Sequence, residues 1–301
     1  MRTLTIILAL LTALSLCTRS IAAAPTSEER MPPDAGEGRC LDCHGELLEG
    51  AVVHAAAELC DVCHVAATAG HSFAVASPVV LACVECHEDP REAAGHVHGP
   101  AAAGECTACH DPHRSEEASL LRLASPDLCW SCHGTVQDRP DIETPVRNVR
   151  REIAEAATVH GAIEGGCDAC HPAHSSARAS LFIDSFPDGP YAAGHTGSYE
   201  LCFACHDEEI LEEDPGATEF RDGEQNLHFV HVAQPKSRSC ALCHSPHGGG
   251  DHLLRGSVRF GSWNMPLVFE ATTEGGNCVA ACHEPRAYWR PSEPPPGEVE
   301  P

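Results

Sequence analysis

Nine close cysteine pairs, each followed at once by a histidine, set the limits on what this chain can fold into. The clearest runs Cys106-Thr107-Ala108-Cys109-His110-Asp111-Pro112-His113. Cys-x-x-Cys-His reads as a c-type haem attachment site. The two thiols sit about one helical turn apart, so each can be captured by one vinyl group of a single porphyrin. The histidine beside the second thiol then falls under the ring, where its imidazole can bind the iron.

Eight sites are regular: Cys40/Cys43/His44, Cys60/Cys63/His64, Cys83/Cys86/His87, Cys106/Cys109/His110, Cys129/Cys132/His133, Cys167/Cys170/His171, Cys202/Cys205/His206 and Cys240/Cys243/His244. The ninth, Cys278-Val279-Ala280-Ala281-Cys282-His283, has three residues between its thiols. On a helix the extra residue turns the second sulfur by roughly 100°, so the local backbone must adapt. Two other chemistries use paired cysteines. A disulfide framework suits an exported chain but has no reason to place a histidine after every pair. Zinc sites also use Cys-x-x-Cys units, yet they do not require histidine directly after each second thiol. Nine covalent haems c are the reading that accounts for all nine histidines.

The pairs begin at 40, 60, 83, 106, 129, 167, 202, 240 and 278, in steps of 20, 23, 23, 23, 38, 35, 38 and 38 residues. Such regularity is an internal repeat, which predicts an array of one unit stacked on its neighbours. Residues 1–23 read as a secretory signal: Arg2 leads an apolar run from Leu4 to Leu16, and Ala22-Ala23-Ala24 offers small residues for cleavage after Ala23. That run is shorter than the roughly 20 residues a membrane span needs. Leu16 stands before Cys17, where a lipoprotein signal has a small residue. A flexible leader is expected over 24–39, haems 1–5 over 40–136, a linker and helix over 137–159, haems 6–9 over 160–290, and an unstructured Pro/Glu tail over 291–301. The helix is placed from about Val146 to Val159, and the acidic run from Asp207 to Gly223 reads as a solvated loop.

Only 14 of the 301 residues are aromatic and 23 are proline, too little apolar surface to order a chain so rich in Pro and Gly. The expected fold is therefore mainly irregular with short α-helices and little or no β, the stacked haems forming the core. With 44 Asp and Glu against 19 Lys and Arg, the net charge of -25 argues against nucleic-acid or anionic-membrane binding. It favours solubility, with steering of basic redox partners as a secondary role.

Twelve histidines lie outside the motifs, and their positions are patterned. His113, His174 and His247 each follow a motif histidine by three residues, and His98, His160 and His231 precede the same motifs by seven to nine. Those six could serve haems 4 to 9, and His54, His71 and His96 would complete the set of nine distal candidates. His195, His228 and His252 are then spare, and which histidine meets which iron is left open. With both axial positions filled, iron changes oxidation state with little movement and offers no open position to substrate. No Ser-His-Asp set, phosphate loop or catalytic carboxylate pair is present. Trp130 and Phe203, inside their motifs, are expected against porphyrin edges.

Over His98-Gly-Pro…Glu105-Cys-Thr-Ala-Cys-His-Asp-Pro-His113…Leu128-Cys-Trp-Ser-Cys-His133 the chain resembles the doubled-CxxCH multihaem cytochromes c, and the pattern recurs from His160 to His206 and from His231 to His283. In haem count and length it is also similar to the periplasmic decahaem cytochromes of outer-membrane porin conduits. The resemblance implies closely spaced haems wrapped as a wire, with His113, His174 and His247 as distal ligands. It implies an exported electron carrier in the periplasm, at the outer membrane or outside the cell. Its partners would be redox proteins: an inner-membrane quinol-linked donor, and an acceptor or outer-membrane porin. A reductase of a small oxyanion using one five-coordinate haem is the enzyme alternative, and a subunit that polymerises or docks in a porin is a third.

Overall fold

A computed structural model describes residues 40–66, 72–75, 77–93, 95–135, 146–235, 237–280 and 282–290. The signal, the leader, the tail, His71 and most of the linker lie outside the described residues. Short helical segments carry the regular motifs, among them Cys40–His44, Cys60–Cys63, Cys106–Ala108, Asp127–His133, Cys167–Ala169 and Cys240–Cys243. In each of motifs 2, 3, 4, 6, 7 and 8 the histidine N–H donates to the carbonyl of the first cysteine, at 2.8–3.0 Å. That single helical hydrogen bond sets the imidazole beside the thiol pair. Proline one to three residues later, at Pro90, Pro112, Pro172 and Pro246, cannot continue the helix and ends the turn.

The expectation of little or no β is overturned. Strands Ser257–Phe260, Trp263–Thr272, Gly275–Ala280 and Arg286–Trp289 form a four-stranded antiparallel sheet, and six two-stranded ladders lie elsewhere among the described residues. The cause is local. Between His252 and Cys278 there is neither cysteine nor histidine, so this stretch attaches no ring itself and instead lays an apolar sheet face, with Val258, Met265, Leu267 and Ala280, against the cavity that the motif histidines line. Its apolar residues alternate with polar ones at the strand period of two. Val258 pairs with Met265 and Leu267 with Ala280, all four buried on one face. Gly261, at φ 61°, makes the two-residue hairpin between the first two strands. A Cβ on Gly275 would meet the Tyr288 carbonyl oxygen at 2.0 Å, so no other residue fits the sheet there.

The ladders join distant parts of the repeat. Val52–Val53 pairs with Arg114–Ser115, His96–Val97 with Ser175–Ser176, and Thr158–Val159 with Gly248–Gly249. The last of these shortens the expected helix to Val149–Glu155, capped by the Asn148 side chain accepting from the Arg151 N–H.

The acidic run is not a featureless loop. Asp207 and Asp214 each accept a backbone N–H at the start of a tight turn, over Glu208–Leu211 and Pro215–Ala217, and Leu211 is buried against Tyr199 and Val232. Asn226 holds this region together: its amide donates to the Ile210, Glu212 and Asp214 carbonyls, and its Oδ1 accepts from the Phe229 N–H. It is buried to 1% exposure. Asn226→Ala should therefore strand several buried polar groups and cost about 3 kcal/mol, at roughly 1–3 kcal/mol per unsatisfied group. A denaturation midpoint unchanged from wild type would contradict this bracing role.

Side chains supply little else. The described residues hold only nine buried hydrophobics, four of them in the terminal sheet. A continuous cavity of 5210 Å³ is lined by all nine motif histidines, by every motif cysteine except Cys43 and Cys278, and by Val258, Met265, Leu267 and Ala280 of the terminal sheet. Among the described residues no helix is long and apolar enough to cross a membrane.

Candidate haem sites

Each ring pair below joins one motif histidine to one histidine from outside the motifs. The ring centroids are 6.0 Å apart for His64–His113 and His87–His54, 5.9 Å for His110–His174 and 6.2 Å for His133–His98. They are 6.2 Å apart for His171–His247, 5.9 Å for His206–His160, and 6.4 Å for His244–His228 and His283–His231. Two metal–imidazole bonds of about 2 Å, plus about 1.1 Å from each nitrogen to its ring centre, span about 6 Å. The spacing is that of two imidazoles on opposite sides of one iron.

The ladders explain how one chain reaches this arrangement. In each, the histidine after the first strand donates its backbone N–H to the carbonyl of the histidine before the second: His54 to His113 at 2.8 Å, His98 to His174 at 2.8 Å, His160 to His247 at 3.5 Å. Thus the rings facing haem sites 2 and 3, 4 and 5, and 6 and 7 are fixed to one another through two strands.

A second repeated device orients the motif imidazoles. His110, His171 and His244 donate Nδ1–H to the carbonyls of Ser119, Ser180 and His252, at 2.8, 2.9 and 2.9 Å. A carbonyl can only accept, so the proton sits on Nδ1 and Nε2 keeps its lone pair for a metal. The acceptors belong to three equivalent turns in which Ser119-Leu120, Ser180-Leu181 and His252-Leu253 all have φ between 50° and 59°. His98, His231 and His283 use the carbonyls of Ala173, Leu227 and Glu284 likewise.

His247 has a different neighbour. Its Nδ1 lies 3.8 Å from a Glu152 carboxylate oxygen, and Arg147 holds the same carboxylate at 2.5 Å. Both the His247 Nδ1 and that oxygen are buried without a hydrogen-bond partner in these positions. A carboxylate beside a ligating imidazole raises its basicity and stabilises the oxidised metal. Glu152→Gln should accordingly raise the midpoint potential of one haem and leave the others unchanged. A potentiometric titration superimposing on wild type would rule this out.

The thiols place the motifs in order. Burial pushes up Cys60, Cys83, Cys109, Cys167, Cys170, Cys240 and Cys243, and a thiol of an adjoining motif pushes each further. The neighbours are Cys40 for Cys60, Cys106 and Cys63 for Cys83, Cys132 for Cys109, Cys129 for Cys167, Cys205 for Cys170, Cys202 for Cys240 and Cys278 for Cys243. Cys167 and Cys243 reach about 11 and Cys240 about 12. Every motif from first to ninth therefore lies beside the next.

Of the motif thiols, Cys43 and Cys278 do not line the cavity. Cys40 and His44 line the cavity, four residues apart on one face of the first helix, whereas Cys43 is exposed. Cys278 is half-buried on the terminal sheet, opposite Phe269 and Arg286, while its partner Cys282 does line the cavity.

The ninth site lies at the end of a strand. Cys278 sits within Gly275–Ala280, on the same face as Ala280, and Cys282 follows beyond the strand's end. The strand ends at Ala280, whose carbonyl accepts from the His283 N–H at 3.2 Å and turns the histidine back.

The remaining histidines divide differently from the expected set. His228 faces His244 across a buried site, and burial lowers its pKa to about 4, so it stays in the neutral, metal-binding form down to mildly acid pH. Its Nδ1 meets the Thr218 hydroxyl at 2.8 Å. His96, expected among the nine candidates, is exposed within its ladder strand and pairs with no motif ring among the described residues. His195 contacts the Ser198 hydroxyl, and His252 stands over Phe269. His113, His98 and the other patterned histidines spread over sites 2, 4, 5, 6, 7 and 9 rather than 4 to 9. The missed ligand had a signal in the sequence: the eighth motif has no later CxxCHxxH to serve it. Trp130 lines the cavity and is covered on its ring by Arg150 at 5.0 Å.

The residues fit haem c. Divided among nine motifs the cavity gives about 580 Å³ apiece, within the range of single-ligand cavities. Residues 98–138 and 160–210 match the family model described as the doubled CXXCH motif. That motif is the one found in multihaem c-type cytochromes. No curated protein and no solved structure matches the chain.

Proposed function

We propose, from a chain whose middle carries the doubled CXXCH motif, that it is an exported nine-haem cytochrome c that passes electrons along its length. The nine cysteine pairs would hold haem c covalently, with His44, His64, His87, His110, His133, His171, His206, His244 and His283 as proximal ligands. His113, His54, His174, His98, His247, His160, His228 and His231 would be the distal ligands of haems 2 to 9, in that order. Bound there, haem supplies one-electron chemistry. The chain's own residues would fix spacing and, at haems 2 to 9, fill both axial positions, which leaves those metals no site for substrate.

The single observation that supports this reading is the series of eight histidine pairs at 5.9–6.4 Å, one per motif from the second to the ninth. The donor would be a periplasmic or inner-membrane quinol-linked protein, and the acceptor a protein of the periplasm or outer membrane, which includes porin partners. Intact mass with a pyridine haemochrome assay tests the cofactor count: nine covalent haems are expected, and fewer than eight would refute it. Optical spectra of the same sample should be low-spin throughout. A high-spin band that responds to a small oxyanion would replace the carrier with a reductase.

A further inference from the structure

The distal pairings follow a rule that fails at one place. Haem sites 2, 4 and 6 face His113, His174 and His247, and each of these lies three residues past the motif histidine of site 4, 6 or 8. Sites 2, 4 and 6 are thus each closed by a residue of the following two-haem unit. Haem sites 3, 5, 7 and 9 face His54, His98, His160 and His231, each six to nine residues before the preceding even motif. For site 8 the rule asks for a tenth motif, which the chain lacks.

The ring that faces His244 is instead His228, from the segment between the seventh and eighth motifs. It lies three residues before His231, the ligand of site 9, at the start of the π-helix Phe229–Ala233. One helical turn therefore does here what two paired strands do in each internal unit. Insertions of this kind in a helix recur at functional sites. The segment is braced on both sides. Asn226 ties it to the 210–214 carbonyls, the Gly223 N–H donates to the Trp289 carbonyl at 2.8 Å, the Trp289 N–H donates to Asp222 at 3.1 Å, and Arg290 pairs with Glu219 at 2.6 Å. Through these contacts it leans on the last strand of the terminal sheet.

We propose that residues 207–233 are the end cap of the haem array, and that His228 closes haem 8 in cis where a further repeat unit would otherwise have to. Repeat arrays need atypical terminal units, because the last unit has no neighbour to complete it. In this chain what is missing at the end is a metal ligand as well as an apolar face, and the cap supplies the ligand while the sheet supplies the face.

The inference rests on bis-histidine ligation, and its test separates the two. Holoprotein and its His228→Ala variant, both fully haem-loaded, are reduced and titrated with carbon monoxide. The variant should bind one more carbon monoxide per chain than wild type and show one high-spin haem, and added imidazole should reverse both changes. His231→Ala should open a second, independent position, and the double variant two. An unchanged stoichiometry in a nine-haem His228→Ala protein overturns the cap, whereas a wild type that itself binds carbon monoxide at several haems overturns bis-histidine ligation instead. Should His228→Ala not fold, His228→Met keeps a ligand. One haem should then show the sulfur–iron charge-transfer band, and its absence from a folded nine-haem variant likewise overturns the cap.

Discussion

Expressed where haem cannot be attached, this chain should be unfolded, with a far-ultraviolet spectrum of coil and rapid amide exchange throughout. Nine buried hydrophobic side chains among the described residues are far too few to offset the ordering of some 230 residues, which costs about 1–2 kcal/mol each for the backbone alone. The wall of the 5210 Å³ cavity is apolar surface that only a porphyrin can cover. Val62, Val65 and Phe73 line it and are otherwise 45–67% exposed. Folding is then coupled to the cofactor as in other small domains that are unfolded apo and folded holo. Among the described residues the buried side chains gather in the C-terminal hairpins and in the Tyr199, Leu211 and Val232 cluster, so any residual order should be confined to those two places. A cooperative melting transition in the haem-free chain would show that side chains suffice.

His174→Ala should interrupt the array at its centre. The ring faces His110 at 5.9 Å, and His174 also accepts the backbone bond from His98 that joins sites 4 and 5. Removing the imidazole leaves one haem five-coordinate and, by withdrawing an electron-donating ligand, raises its potential. For one electron about 59 mV is a factor of ten, so a rise of about 120 mV makes haem 4 hold an electron roughly a hundred times more strongly than its neighbours. End-to-end transfer should slow accordingly, with a lag at haem 4 in stopped-flow spectra. His96→Ala is the control: its ring is exposed and faces no described motif histidine, so both spectrum and kinetics should stay as in wild type. Equal slowing in the two variants would mean that the pairing of rings does not define the path.

The residues of the haem sites were legible in the order of the chain because attachment is a local requirement. Two thiols a turn apart and an adjoining histidine can be recognised without knowing the fold, and the 38-residue beat carried the irregular ninth motif with them. Which of those thiols lines the cavity is not local: Cys43 and Cys278 do not, and the other sixteen do. The histidine three residues after motifs 4, 6 and 8 was visible for the same reason as the motifs themselves. Its target was not. His113 reaches back to His64 and His174 to His110, across 49 and 64 residues of sequence, because two-residue strands far apart in the chain pair with each other. Such ladders are too short to leave any period in the sequence.

The sheet escaped for a different reason: a reading anchored on haem motifs treats what lies between them as connection, yet the stretch from Ser257 to Trp289 alternates its apolar residues and forms four strands. His228 escaped because it belongs to no repeat. What the amino-acid order settles alone is the local chemistry, which thiols and which adjoining imidazoles can hold a ring. The partner of each ring, and the closure of the last even site, depend on backbone hydrogen bonds between segments that only the folded chain brings together.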